Sequence, residues 1–335
     1  MKNNKSKKIK KRFGDRYDGR RVRHSDPTNV IIPFLMKTRN DAQVEFDAEI
    51  DVSKIEERIH ERRKNGEDVT FMDYFFTALI RTFAEYPRLN RFVAGRRLFA
   101  RDDLEMSIVV KKEMNIETEA TPVKIKFDRD SSVYDVEKIL QEIIQANKGG
   151  SGIKNDTDKF MSIINLLPRF LFSFVINTLT LMDFYGIMPK FIHRISPFHT
   201  SIFVTNMGSV GSGPIYHHIY NWGTTSIFVA MGTKKKMRVI DKNGKIVDKK
   251  IMKLRFVADE RIGDGFYLSK ALKFFTGLFL RPELLRVNSL QRNSFLTSSR
   301  RSFATRRSSL RYLRVFNSPR TAILTVRWTH SVMRC

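Results

Sequence analysis

The chain has 335 residues, 41% of them hydrophobic, enough to bury one large core or two ordinary ones and too apolar for a largely unfolded chain. Its net charge of +26 gathers at the ends: residues 1–24 hold 11 Lys+Arg against 2 Asp, and residues 281–335 hold 12 Arg against one Glu, so the body is only mildly basic. The single cysteine, Cys335, excludes a disulfide framework and a thiolate metal cluster and fits a reducing, cytoplasmic setting.

Residues 1–27 are expected to form a basic, mobile segment, either a solvated tail or an arm for nucleic acid or another anionic surface. No apolar stretch follows the lysine run, as a secretory signal would require. Val44 to Val52 alternates in part and predicts a first sheet strand. Ser53 is placed to cap a helix through about Arg63, and Thr70 to cap a second one with Phe71, Phe75, Ala78, Leu79, Thr82 and Phe83 along one face. Leu104 to Lys111 and Val123 to Phe127 read as strands, and Ser132 as the cap of a helix whose apolar face carries Val133, Val136, Leu140, Ile143 and Ile144.

After a glycine-rich loop at Lys148–Gly152 comes an uncharged run of 13 residues, Phe170 to Met182, bracketed by Pro168 and Pro189. It is short of the roughly 20 residues that span a bilayer, so no membrane span is expected, and it reads as a buried or interface helix rather than one lying on a membrane. Strands follow at Ile202–Thr205 and Ile227–Met231, then a hairpin through Asp241-Lys242-Asn243-Gly244. In the next strand Met252, Leu254, Phe256 and Ala258 point one way while Ile251, Lys253, Arg255 and Val257 point the other. That strand delivers the chain into Asp259-Glu260-Arg261-Ile262-Gly263-Asp264-Gly265, and a helix with Phe266, Ala271, Leu272, Phe275 and Phe279 as its buried face follows. Residues 286–335 differ in kind: arginine is the only basic side chain besides His330, and no lysine occurs after Lys273. The stretch reads as a basic interaction tail or as sequence translated out of frame.

Several segments, in order, resemble the acyltransferase catalytic domain of the 2-oxoacid dehydrogenase complexes. Residues 33–52 (PFLMKTRNDAQVEFDAEIDV) are similar to its first segment, in which an arginine precedes a strand ending in I-D-V. Residues 86–95 (YPRLNRFVAG) resemble its h-P-x-L-N-x-x-x-x-G turn, and residues 201–211 (SIFVTNMGSVG) its T-F-T-I-S-N-L-G-x-x-G strand and turn. Residues 214–232 match its P-I-I-N-P-P-Q-x-A-I-L-G-V-G stretch at both ends, and residues 259–265 resemble its D-H-R-x-x-D-G motif, which reads H-H-x-x-x-D-G in chloramphenicol acetyltransferase. The resemblance covers about residues 28–285; residues 150–198 are longer and more apolar than the corresponding connection in the family.

The resemblance implies an α/β two-layer sandwich of the chloramphenicol acetyltransferase type, a mixed sheet with helices on one side. It also implies a homotrimer whose site lies between neighbouring subunits. The implied donor is a coenzyme A thioester, with acyl-coenzyme A and an unknown acceptor as partners; no covalent lipoyl group is expected, because no lipoyl-lysine hairpin precedes the first matching segment, and no metal. Thr205 takes the place of the hydroxyl that stabilises the tetrahedral oxyanion, with Asn206 opening the turn after it. Asp264 takes the place of the aspartate that holds the site's backbone, with Arg39 as its expected partner and Arg261 and Gly265 in support. Glu260 stands where the family has its histidine base. A carboxylate is a far weaker base than imidazole, and loss of a positioned base costs roughly 10² to 10⁴ in rate. Three readings stay open: a weak or altered acyltransferase that uses Glu260, one that uses a relocated base among His217, His218 and His199, and a non-catalytic trimeric binding or scaffold protein.

Overall fold

A computed structural model of the chain describes residues 10–23, 26–111, 120–148, 168–240 and 243–286. Its strands, in chain order, are β1 (Gly19–Arg21), β2 (Gln43–Asp51), β3 (Arg91–Ala94), β4 (Arg97–Arg101), β5 (Leu104–Lys111), β6 (Ala120–Phe127), β7 (Ile202–Asn206), β8 (Ile227–Ile240) and β9 (Ile246–Asp259). Its helices are α1 (Pro27–Leu35), α2 (Ser53–Lys64), α3 (Phe71–Glu85), α4 (Val133–Lys148), α5 (Arg169–Tyr185), α6 (Lys190–Ile195), α7 (Gly265–Phe279) and α8 (Glu283–Arg286). Contacts divide the chain into Met1–Arg292, which holds every described residue, and Asn293–Cys335. The Arg/Ser-rich stretch and the glycine-rich loop therefore lie outside the described residues, apart from Arg286 and Lys148.

Six strands form a mixed sheet in the order β2-β9-β8-β7-β5-β6, parallel at β8/β7 and β7/β5 and antiparallel elsewhere. The period-2 alternation of β9 decides its two faces. Met252, Leu254, Phe256 and Ala258 enter a core shared with α2, α3, α4 and α7, while Val257 joins Phe203, Phe228 and Ile219 on the opposite face. This is the expected mixed sheet with a helical layer on one side. The middle of that layer is α3, whose Tyr74, Phe75, Phe76 and Ile80 are fully buried; each such side chain contributes roughly 1.5–3 kcal/mol of burial. Its start is fixed by a capping box, in which the Thr70 backbone N–H donates to Asp73 Oδ2 at 2.6 Å.

Some local expectations fail, each for a visible reason. Ser53 is the first residue of α2 rather than its cap, because its hydroxyl accepts from Lys250 N on the neighbouring strand at 2.9 Å. Phe266 is 74% exposed, since it lies about 140° around α7 from Ala271; Leu268, Ala271, Phe275, Leu278 and Phe279 form the buried stripe. Ile144 is exposed, whereas Ile143 beside it packs partly buried against the core.

The amino-terminal segment departs most from the expected solvated tail. Residues 19–21 form β1, which pairs with β4 and through it with β3 in a second, antiparallel sheet. Arg16 is buried because Asp18 and Asp183 neutralise it: its Nε donates to Asp18 Oδ1 at 3.0 Å and its Nη2 to Asp183 Oδ1 at 2.6 Å. Counting charges along the sequence cannot reveal such a buried pairing partner 167 residues away. The apolar run becomes α5, but most of its side chains are exposed rather than buried, and among its described residues only Asp183 is buried.

Candidate functional site

The motif after β9 is built on a buried ion pair. Asp259 is 0% exposed, and both its oxygens are held by Arg261: Nε donates to Oδ1 and Nη2 to Oδ2, each at 2.7 Å. Arg261 Nη1 also donates to Met36 O at 2.8 Å, tying the motif to the end of α1. Two parallel charge-assisted bonds of this kind fix orientation as well as position. Glu260 lies between the paired residues, half-buried. Its backbone N–H donates to Ala42 O at 2.9 Å and its carbonyl accepts from Gly263 N at 3.2 Å, so the turn is pinned on both sides.

Arg39 does not meet Asp264 as expected. Its guanidinium donates to Asn221 O and to Val93 O, both at 2.9 Å, and the carboxylates that favour its charge are Asp259, most strongly, and Asp183. Burial lowers this arginine to about 10, against the pull of Asp259. Asp264 is exposed and caps α7 by accepting from Tyr267 N at 2.8 Å. Gly265 is not needed for a tight turn: a Cβ there meets nothing within 4 Å, and its φ is not left-handed. The residue that anchors the site's backbone is thus Asp259, which sequence reasoning missed. The D-x-R spacing was the available signal.

Thr205 is half-buried near the end of β7. Strand alternation turns it to the face that carries Phe203, where it is level with Ala230 of β8 and Arg255 of β9. Arg255 lies over the Tyr216 ring at 4.4 Å and donates to Asp47 Oδ1 at 3.1 Å. Asn206 fixes the following turn by accepting from Ser209 N at 3.2 Å. That turn packs tightly on β8, because a Cβ on Gly208 would stand 2.6 Å from Gly232 O. Asn206, Gly208 and Ser209 line a cleft of about 450 Å³ together with Thr233, Lys234 and Lys250, both lysines bonding Glu56.

Within one chain the two halves of the expected site are apart. Glu260 lies just past the end of β9, whose last residue, Asp259, is four residues beyond Arg255 and so about 13 Å along the strand from the level of Thr205.

The three candidate replacement bases are placed differently. His217 stacks on Phe228 with centroids 4.1 Å apart and planes 3° from parallel, on the same sheet face as Thr205. Its Nδ1 is 2.9 Å from His218 O, and His218 is exposed beside Tyr220. His199 is 0% exposed, with Nδ1 2.8 Å from Ser196 Oγ and Nε2 3.4 Å from Asp183 Oδ2, so it has no access to a substrate.

His199 belongs to a buried cluster that the sequence did not suggest. Asp183, His193 and His199 bring ligand-type atoms within 4.8 Å of one another, a set a divalent cation could use. Arg16 already supplies positive charge there, with Nη2 2.6 Å from Asp183 Oδ1 and 3.3 Å from His193 Nε2. Burial, with repulsion from His199, pushes His193 down to about 3, so it is neutral at physiological pH. Sequence spacings of ten and six residues across a turn and a short helix give no metal-site signature.

Residues 198–287 match the family model of the 2-oxoacid dehydrogenases acyltransferase (catalytic domain), a stretch that contains Thr205, Asn206, Glu260, Arg261 and Asp264. Among solved structures, a probable dihydrolipoamide acetyltransferase from Listeria monocytogenes is 16% identical, with a TM-score of 0.50 over 77% of this chain and 93% of that one. The dihydrolipoamide acetyltransferase of Azotobacter vinelandii is 12% identical, covering 77% and 88% with a TM-score of 0.49. A chloramphenicol acetyltransferase is 13% identical, covering 78% and 100% with a TM-score of 0.48. The first of these shows the shared fold. No curated protein matches the chain. The family match bears out the resemblance over these residues and supports acyl transfer as the general class of chemistry.

Proposed function

We infer that this chain, whose residues 198–287 carry the acyltransferase catalytic-domain pattern, transfers an acyl group from a coenzyme A thioester to a hydroxyl or thiol acceptor. The observation that carries the reading is the motif turn: a buried Asp259–Arg261 pair holds Glu260 at a fixed place at the end of β9, as a positioned base requires. The acceptor's lone pair attacks the thioester carbonyl and its proton passes to the Glu260 carboxylate. The tetrahedral oxyanion receives a hydrogen bond from the Thr205 hydroxyl; the C–S bond then breaks, and the coenzyme A thiolate leaves and takes up the proton.

Thr205 and Glu260 of one chain are too far apart to share one carbonyl, so the site is completed by a second copy, in a homotrimer that sets Thr205 of one subunit against Glu260 of the next. The half-buried threonine on the open sheet face and the half-buried glutamate at the strand end support this division. A carboxylate in place of imidazole makes the chemistry slow, by roughly 10² or more. Purified protein given acetyl-coenzyme A and a panel of alcohols and thiols should release free thiol, and Glu260→Ala should abolish the release. Equal release by Glu260→Ala would remove its role.

A specific observation also favours the non-catalytic alternative: of the three candidate replacement bases, His199 is buried and His217 is stacked on Phe228, which leaves exposed His218 alone. Retained trimers with no turnover by either protein would establish it.

A further inference from the structure

We propose that α5 is a docking element that lies on an anionic lipid surface. The proposal rests on side-chain exposure and charge and is independent of the acyl-transfer reading. Phe170, Phe174, Leu181 and Tyr185 are spaced by four, seven and four residues, which puts them on one stripe of the helix. They are 77%, 66%, 57% and 68% exposed, and Ile187, in the turn that follows, is 66% exposed. A helix so apolar on its open side ordinarily packs inside a protein or against another apolar phase. No described helix is long and apolar enough to cross a membrane, so the fitting arrangement is in the plane of the headgroups.

Charge decides which apolar phase. Between residues 168 and 195 every exposed charged side chain is a cation, namely Arg169, Lys190 and Arg194, and the one acid, Asp183, is buried against Arg16. Lys190 Nζ lies 5.9 Å from the centre of the Tyr17 ring, which brings the basic amino-terminal segment beside α6. On the other side, the β3–β4 turn links α5 to α1: Gly95 packs against Phe184 O, and the Arg96 guanidinium lies 5.6 Å over the Phe34 ring. Helix α1 carries no charge and exposes Val30, Ile31, Phe34 and Leu35. Exposed aromatic and aliphatic side chains bordered by cations are the complement of an anionic headgroup layer over acyl chains. RNA would use the cations but leave the stripe of Phe, Leu and Tyr in water.

The test is sedimentation of the full chain with vesicles of phosphatidylcholine alone and of phosphatidylcholine mixed with phosphatidylglycerol. Pelleting with the anionic vesicles only is expected. Triple replacement Phe170→Ser, Phe174→Ser, Leu181→Ser should weaken it at least tenfold, and the pair Arg169→Glu, Lys190→Glu should weaken it and flatten its salt dependence. Circular dichroism and thermal unfolding of both variants should match the parent, since every altered side chain is on the surface. Failure to pellet with anionic vesicles overturns the proposal, and so does vesicle binding that the triple variant keeps. Retention of RNA with no vesicle binding assigns the cations to nucleic acid. Dissociation of an oligomer by the triple variant with no vesicle binding assigns the stripe to a second copy; each of these two results also overturns the proposal.

Discussion

Arg261 reaches back past Glu260 to hold both oxygens of Asp259, so the residue proposed as the base is clasped by an ion pair formed from its own two neighbours. The pair is buried, and a buried pair is worth little against a hydrophobic replacement but a great deal against removal of one partner. Position and chemistry are therefore divided between adjacent residues.

Replacing Asp259 by Ala leaves the Arg261 guanidinium buried and uncompensated. A loss of about 3–5 kcal/mol in urea unfolding is expected, together with loss of acyl transfer as Glu260 shifts. Glu260→Ala should stay within about 0.5 kcal/mol of the parent in the same measurement, because the half-buried Glu260 side chain, unlike Asp259, is not part of the buried ion pair, while losing the same activity. Two equal stability effects would contradict this division.

Arg39 bonds two backbone carbonyls from different segments, Asn221 O and Val93 O. Lysine cannot span both, having a point charge where the guanidinium has a fork. Arg39→Lys should cost about 2 kcal/mol through the carbonyls left unsatisfied. Hydrogen exchange should rise at residues 91–94 and 221–223 before the rest of the fold.

A methyl group at Gly208 would stand 2.6 Å from Gly232 O, a backbone atom that cannot swing aside. Gly208→Ala should therefore destabilise by about 1–3 kcal/mol and, by moving the turn that follows Thr205 and Asn206, raise KM for acetyl-coenzyme A or lower kcat. Thermal unfolding and steady-state kinetics on one preparation check both.

The buried cluster predicts acid sensitivity. His193 is lowered by burial and by His199 to about 3 from an ordinary 6.5, so the unfolded chain binds a proton there that the folded chain refuses. Stability from this group is complete above about pH 6.5 and falls as pH drops toward 3. Burial opposes the charge of Asp183, but His199 and Arg16 outweigh it and hold the carboxyl well below its usual range; its contribution, of the same sign, is lost only below the ordinary carboxylate value. The parent should lose about 2 kcal/mol between about pH 6.5 and 5, and His193→Gln should flatten that slope. An unchanged slope in the variant would show that the cluster does not carry the effect.

Much of this fold is legible in local sequence, because local rules set it. The alternation of β9 follows from a sheet with two different faces, and Thr70 with Asp73 forms its capping box from residues three apart. What escapes is set by partners distant in the chain. The Ser53 hydroxyl accepts from Lys250 N and does not cap its own helix, Arg16 is buried by Asp183, and Arg39 turns to the Asn221 carbonyl instead of Asp264. In the proposed site, the places of Thr205, Asn206 and Glu260 follow from motif order. The anchoring role of Asp259 does not, since a pairing between residues two apart at a strand end depends on their being buried together.

The central claim is tested most directly by release of free coenzyme A from acetyl-coenzyme A, measured side by side for the parent protein, Glu260→Ala and Glu260→His at equal protein concentration. Acceptor-dependent release by the parent, none by the alanine variant and faster release by the histidine variant is the predicted result. Release that is the same in all three, or absent from all three while the protein stays folded, would contradict it.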